Sequence, residues 1–205
     1  MASALARAKL ARAASALNAR FPHLPPLILM TDEERLPDPA AAVRALPKGA
    51  AIILRHRSTD ERVKLAETLA AIARARGLCL LIAGDAELAA RIGAGGLHLA
   101  EARLREAAHI RALHPSWLIT AAAHSMRGVA QAARAGADAV LLAPVFPTSS
   151  HAERAGLGAA RARFIAVDSP VPVYALGGVN AANVARLFGF TGIAAIEALI
   201  PIQSS

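Results

Sequence analysis

At 205 residues, 55% hydrophobic and only 3% aromatic, the chain has room for one domain, with a core of Ala, Leu, Val and Ile. It has no apolar run of the roughly 20 residues that a membrane span needs, and its single cysteine, Cys79, excludes an intrachain disulfide and fits a reducing cytoplasm. The net charge of +8 comes almost wholly from arginines spread through every helical segment. There is no clustered basic patch, aromatic platform or reader motif, so neither nucleic acid nor membrane is expected as a partner.

The N-terminal residues 1–22 are rich in Ala and Arg. Leu5, Leu10, Ala13, Leu17 and Phe21 recur at helical spacing until Pro22 and Pro25 stop the pattern. This predicts an amphipathic helix packed on a domain that spans 23–205. Within that domain, short apolar runs at 26–31, 51–55, 78–83, 96–99, 118–123, 139–143, 171–176 and 192–196 read as strands. They are apolar on both faces, as buried parallel strands are. Helical patterns fall at 39–46, 61–76, 86–92, 103–113, 127–135, 159–167 and 181–188. Eight β units alternating with helices predict the α/β class, either a closed barrel or a doubly wound sheet. The first turn has no G-x-G-x-x-G, which favours a single (β/α)₈ TIM barrel. The chain ends soon after the eighth strand, so the final helix is expected to be missing or truncated. The bare flank must then be covered by the N-terminal helix or by a second copy of the chain, and a homo-oligomer is expected.

In a barrel the polar residues that end the strands ring one mouth, where barrel active sites lie. Here these are Asp32, Arg55, Arg57, Asp85, His98, His124, Thr148 and Gly177–Gly178. Arg55 and Arg57 lie two apart on a strand and share a face, so they form an anion clamp if that face looks into the mouth. Asp85, between a strand and a helix, fits an N-cap as well as a metal ligand. His124 can give and take a proton near neutral pH. Cys79 lies in an apolar run and reads as an inert buried thiol.

Five segments occur in an order that resembles the thiamin-phosphate synthase/TenI family. They are Leu27-Ile28-Leu29-Met30-Thr31-Asp32, Gly93 to Leu99 (GAGGLHL), Ala123-His124-Ser125, Asp138 to Thr148 (DAVLLAPVFPT) and Ala175-Leu176-Gly177-Gly178-Val179. The resemblance implies a thiazole phosphate-type small-molecule ligand and one of two activities. A synthase joins aminopyrimidine methyl diphosphate to thiazole phosphate with Mg²⁺. A TenI protein aromatises a thiazole carboxylate phosphate tautomer by proton transfer, with no metal. It also implies His124 as the proton-moving residue, Asp85 as a metal ligand, and Arg55, Arg57, His151, Gly177 and Gly178 as phosphate-binding residues. Thr148 and Ser150 either hold the anion by hydroxyl and backbone donors or form a turn after Pro147.

Several positions depart from the family pattern. The glutamine of strand two is replaced by Ile53, and the lysine two residues after Arg55 by Arg57. The Asn-Asp after strand three reads Gly84-Asp85. The second metal-binding aspartate is Arg103, and the lysine after the PT motif is His151. Glu197 stands in the last phosphate loop, where a carboxylate repels phosphate. These departures favour a metal-independent TenI-like tautomerase that needs no cofactor. The alternatives are a divergent synthase using Mg²⁺ and a barrel with a binding or regulatory role but no catalysis.

Overall fold

A computed structural model describes residues 1–36, 38–56, 59–148 and 156–202. Eight parallel strands close into a barrel in sequence order, and β8 pairs with β1. They are β1 (Leu27–Met30), β2 (Ala51–Leu54), β3 (Cys79–Ala83), β4 (Gly96–Leu99), β5 (Leu118–Ala123), β6 (Ala139–Leu142), β7 (Val173–Ala175) and β8 (Gly192–Ala195). The helices are α1 (Ala4–Leu17), α2 (Ala40–Arg44), α3 (Thr59–Arg76), α4 (Ala86–Arg91), α5 (Ala107–Leu113), α6 (Met126–Arg134) and α7 (Ala159–Val167). The expected (β/α)₈ TIM barrel is therefore the observed fold.

Two apolar layers follow from the period-two alternation of the strands. Leu29, Ile52, Leu54, Ile82, Leu97 and Val140 point outward into the layer beneath the helices. Ile28, Met30, Ile53, Leu81, Leu141 and Tyr174 fill the barrel interior. With few aromatics available, one ring does much of the filling. Tyr174 is buried, its hydroxyl donates to Pro25 O at 2.7 Å, and a Cβ at Gly192 would lie 2.6 Å from its ring. Gly192 is thus glycine because the tyrosine occupies the side-chain space.

Among the described residues the flank after β8 carries no α-helix of its own. A 3-10 turn at Glu197–Leu199 follows β8, and α1 covers the gap by packing on β8 and β1 with Leu10 and Ala14 fully buried. The start of α1 is tied to the chain end beyond β8, where Ala2 N donates to Ile200 O at 2.8 Å. The end of α1 leads through Phe21 and Leu24 to the start of β1, so the helix runs antiparallel to β8 as an eighth barrel helix would. The apolar stripe that argued for a second copy of the chain is covered within the chain. The same packing brings the start of α1 to the mouth, where Ala2, Ser3 and Ala6 line a cavity.

Two of the predicted helices are 3-10 turns in whole or in part. The 103–113 pattern begins as a 3-10 turn, Glu101–Glu106, before α5. The 181–188 pattern retains only a 3-10 turn, Val184–Arg186, where Asn180 and Asn183 side chains bond local backbone groups and compete with a regular helix.

Candidate active site

The C-terminal ends of the strands form a mouth with two adjoining cavities. One, of about 430 Å³, lies over β2–β6 and is lined by Arg55, Arg62, His98, Glu101, Arg103 and His124 among others. The second, of about 560 Å³, lies between the Gly177–Ala182 segment, Glu197 and the start of α1. Arg35, Thr148, Leu176, Gly177 and Ile196 line both.

His124 follows β5, directly before Ser125, whose hydroxyl accepts from Gly128 N at 3.1 Å and caps α6. Its Nδ1 lies 2.7 Å from the carbonyl oxygen of Ala143. A carbonyl can only accept, so Nδ1 carries the proton. That leaves the Nε2 lone pair of the neutral ring free to take a proton from a ligand in the cavity that His124 lines.

His98 behaves differently. It projects into the barrel interior and is 5% exposed, and its Nδ1 lies 2.9 Å from Thr120 Oγ1 on the paired position of β5. Burial, aided by the Arg55 charge, pushes its pKa down to about 4. The reading of His98 as structural fits this placement, although its ring also forms part of the cavity floor.

Arg55 faces the mouth and donates from Nη2 to Asp32 Oδ2. Arg35 holds the same carboxylate at 2.8 Å and lies 3.9 Å from Glu197 Oε1. Hydrogen bonding and charge from Arg35, then the bond from Arg55, hold the Asp32 carboxyl well below the usual carboxylate range. Glu197 therefore stands in the second cavity beside a guanidinium rather than alone.

Gly177 and Gly178 have φ of +90° and +66°, a region that favours glycine, and a Cβ at Gly178 would lie 2.5 Å from Pro147 O. The chain after β7 can take this path only without side chains. Thr148 lies across the seam between the cavities, and its Oγ1 is buried with no partner among the described residues. Arg57, Ser150 and His151 lie outside the described residues.

Asp85 caps α4, its Oδ1 accepting from Leu88 N at 2.9 Å and its Oδ2 lying 3.9 Å from Arg62 Nη1. Arg103 donates from Nη1 to Gly84 O and grips Glu106 through Nε at 2.7 Å and Nη2 at 2.6 Å. Arg35 and Arg62 as mouth residues were missed by the sequence reading, which placed Arg103 at a metal-ligand position but gave it no binding role. Arg35 had a signal, a spacing of three from Asp32 just beyond a strand. Arg62 had none, since it belongs to a charged run that reads as a solvated helix face.

A barrel with a cationic, histidine-bearing mouth defines a class of small-molecule enzyme folds. The comparisons narrow it. The thiamine monophosphate synthase family model matches residues 27–199. The thiamine-phosphate synthase of Chlorobium luteolum is 33% identical over 189 residues, covering 89% of this chain and 89% of that protein. The thiamine-phosphate synthase of Chloroflexus aurantiacus is 29% identical over 167 residues, covering 78% and 77%. A thiamine phosphate pyrophosphorylase structure from Pyrococcus furiosus superposes with a TM-score of 0.70 at 25% identity, covering 84% of this chain and 85% of that one. The chain belongs to the thiamin-phosphate synthase/TenI family.

Membership raises the question of Mg²⁺. Hard divalent sites rest on carboxylate and phosphate oxygens. Here one Asp85 oxygen is used by the cap and the other faces a guanidinium, while Arg103 occupies the second carboxylate position. Glu101 packs over α6, where a Cβ at Gly128 would lie 2.6 Å from its Oε1. Among the described residues no three metal-ligating side chains converge. The residues present do not fit the ion.

Proposed function

We propose that the protein is a metal-independent proton-transfer enzyme acting on a thiazole phosphate-type ligand, as TenI-like tautomerases do. The observation that carries this reading is the Nδ1 contact of His124 with Ala143 O, which leaves Nε2 as a base in a cavity large enough for the heterocycle. The phosphate end is assigned to the second cavity. Gly177 and Gly178 offer backbone donors there, and the buried Thr148 hydroxyl has no partner among the described residues. Arg57, Ser150 and His151 remain proposed phosphate ligands.

A second reading is favoured by the relatives, whose names denote the synthase. In that reaction a diphosphate must depart, and Mg²⁺ would have to assist from a site that Arg103 obstructs. The two readings separate on one variant. Asn at position 124 can still donate to Ala143 O but cannot relay a proton. His124→Asn is expected to lower turnover of thiazole carboxylate phosphate by about 100-fold or more, in EDTA-treated protein, with thiazole phosphate affinity kept within about threefold. Steady-state kinetics alongside calorimetry gives both numbers. Turnover that requires Mg²⁺ and survives His124→Asn assigns the synthase. No turnover under either condition leaves a barrel that binds without catalysis.

A further inference from the structure

The region that does not fit a metal is not empty of binding chemistry. Three guanidinium groups gather over the ends of β2, β3 and β4. Arg62 reaches from α3 and donates from Nη2 to Ala83 O at 2.6 Å, with its side chain only 16% exposed. Arg103 reaches from the turn after β4 to the next carbonyl, Gly84 O. It lies so close that a Cβ at Gly84 would be 2.8 Å from its Nη1. The tip of β3 is therefore held from both sides by arginines, with Arg55 on the neighbouring strand.

The charges are layered. Arg35, Arg55, Arg62 and Arg103 line the cavity, whereas their carboxylate partners Asp32, Asp85 and Glu106 do not. A ligand in the cavity meets guanidinium N–H groups first and the carboxylates behind them. Each guanidinium has five donors. Arg55 and Arg62 each make one short side-chain bond here, and Arg62 Nε is buried with no partner among the described residues. Among the described residues Glu101 is the one carboxylate in the lining, and it is packed against α6.

We propose that Arg62 and Arg103, together with Arg55, form a guanidinium site. It binds a second oxyanion of the ligand directly, where a divalent cation would otherwise bridge it. The forked, permanently charged guanidinium matches a carboxylate or a phosphate without a metal. The inference rests on the mouth being the ligand site, but not on the chemistry assigned to His124. The oxyanion could be a carboxylate on the heterocycle or a diphosphate, and the test separates them.

Calorimetry in EDTA, repeated in Mg²⁺, would titrate inorganic pyrophosphate, thiazole phosphate and thiazole carboxylate phosphate into wild type, Arg103→Ala and Arg103→Glu. Wild type is expected to bind at least one oxyanion probe equally well in both media. For a carboxylate, the ring carboxylate raises affinity about tenfold or more over thiazole phosphate, and the gain vanishes in Arg103→Ala. For a diphosphate, pyrophosphate shows the same sensitivity. Arg103→Glu should weaken either probe further, with thermal midpoints confirming that the variants fold. Binding that needs Mg²⁺, or Arg103 variants that bind every probe like wild type, would overturn the site. His124→Asn keeps these affinities, so loss of its turnover beside unaltered Arg103 variants spares the proton-transfer reading and removes this one. Arginine-dependent binding with no turnover does the reverse.

Discussion

Two imidazoles near the same mouth are separated by burial. His124, after β5, has Nδ1 fixed by a backbone carbonyl and its ring in the mouth. His98, one strand away, is sealed inside and neutral. An unfolded histidine titrates near 6.5, whereas His98 in the fold titrates near 4. Between those values the unfolded chain binds the extra proton and the native chain does not, so native stability falls as pH drops from about 6.5 to 4. The loss from this residue is about 3 kcal/mol over the window. Urea unfolding at pH 7 and pH 4.5 should show a larger decrease for wild type than for His98→Asn, whose amide can still meet Thr120. Equal decreases would mean that His98 is not held neutral by the fold. The polar residues at the strand ends brought out His124, Arg55, Thr148 and the Gly177–Gly178 pair. It could not show Arg62 and Arg103 converging on β3, because they come from different segments and meet only when the barrel closes. Nor could spacing reveal that Asp85 and Arg62 face one another.

Helix α1 is the element that most changes the picture. Its N-cap Ser3 accepts from Ala6 N at 3.2 Å, and its buried face lies on β8 and β1. It thereby closes the ring of helices from the opposite end of the chain. Leu10 is fully buried there, so Leu10→Ala is expected to destabilise the protein by about 2–5 kcal/mol, measured by urea unfolding. A value under 1 kcal/mol would mean that α1 is a loosely attached arm. The apolar spacing of Leu5, Leu10, Ala13 and Leu17 made the helix legible. The flank it covers was expected to take either this helix or a second copy of the chain, and no local signal chose between the two. The strands were the most legible elements, because buried parallel strands read as continuous apolar runs. The 181–188 segment was misread because its apolar spacing is helical while the asparagines at 180 and 183 fold back on the backbone.

At the scale of the molecule, the barrel holds an apolar interior plugged by Tyr174 below and His98 above, with the reactive groups gathered at one end. Among the described residues no helix is long and apolar enough to cross a membrane. The two cavities divide the mouth into a glycine-walled half beside α1 and an arginine-walled half over β2–β4. A ligand with an anion at each end and a planar ring between them matches that division, with His124 beside the ring. Length and alternation were enough to read the barrel, and the ring of strand-end residues was enough to read the mouth. The polarity of the mouth was not legible, because helix arginines turned inward look the same in sequence as arginines turned to solvent. Metal independence separates the proton-transfer enzyme from the synthase. The direct measurement is a calorimetric titration of the full chain with thiazole phosphate, first in EDTA and then with Mg²⁺ and pyrophosphate. Micromolar binding in EDTA, unchanged by the additions, is the predicted result. Binding that emerges only with Mg²⁺ and pyrophosphate would contradict the account and assign the mouth to the synthase reaction.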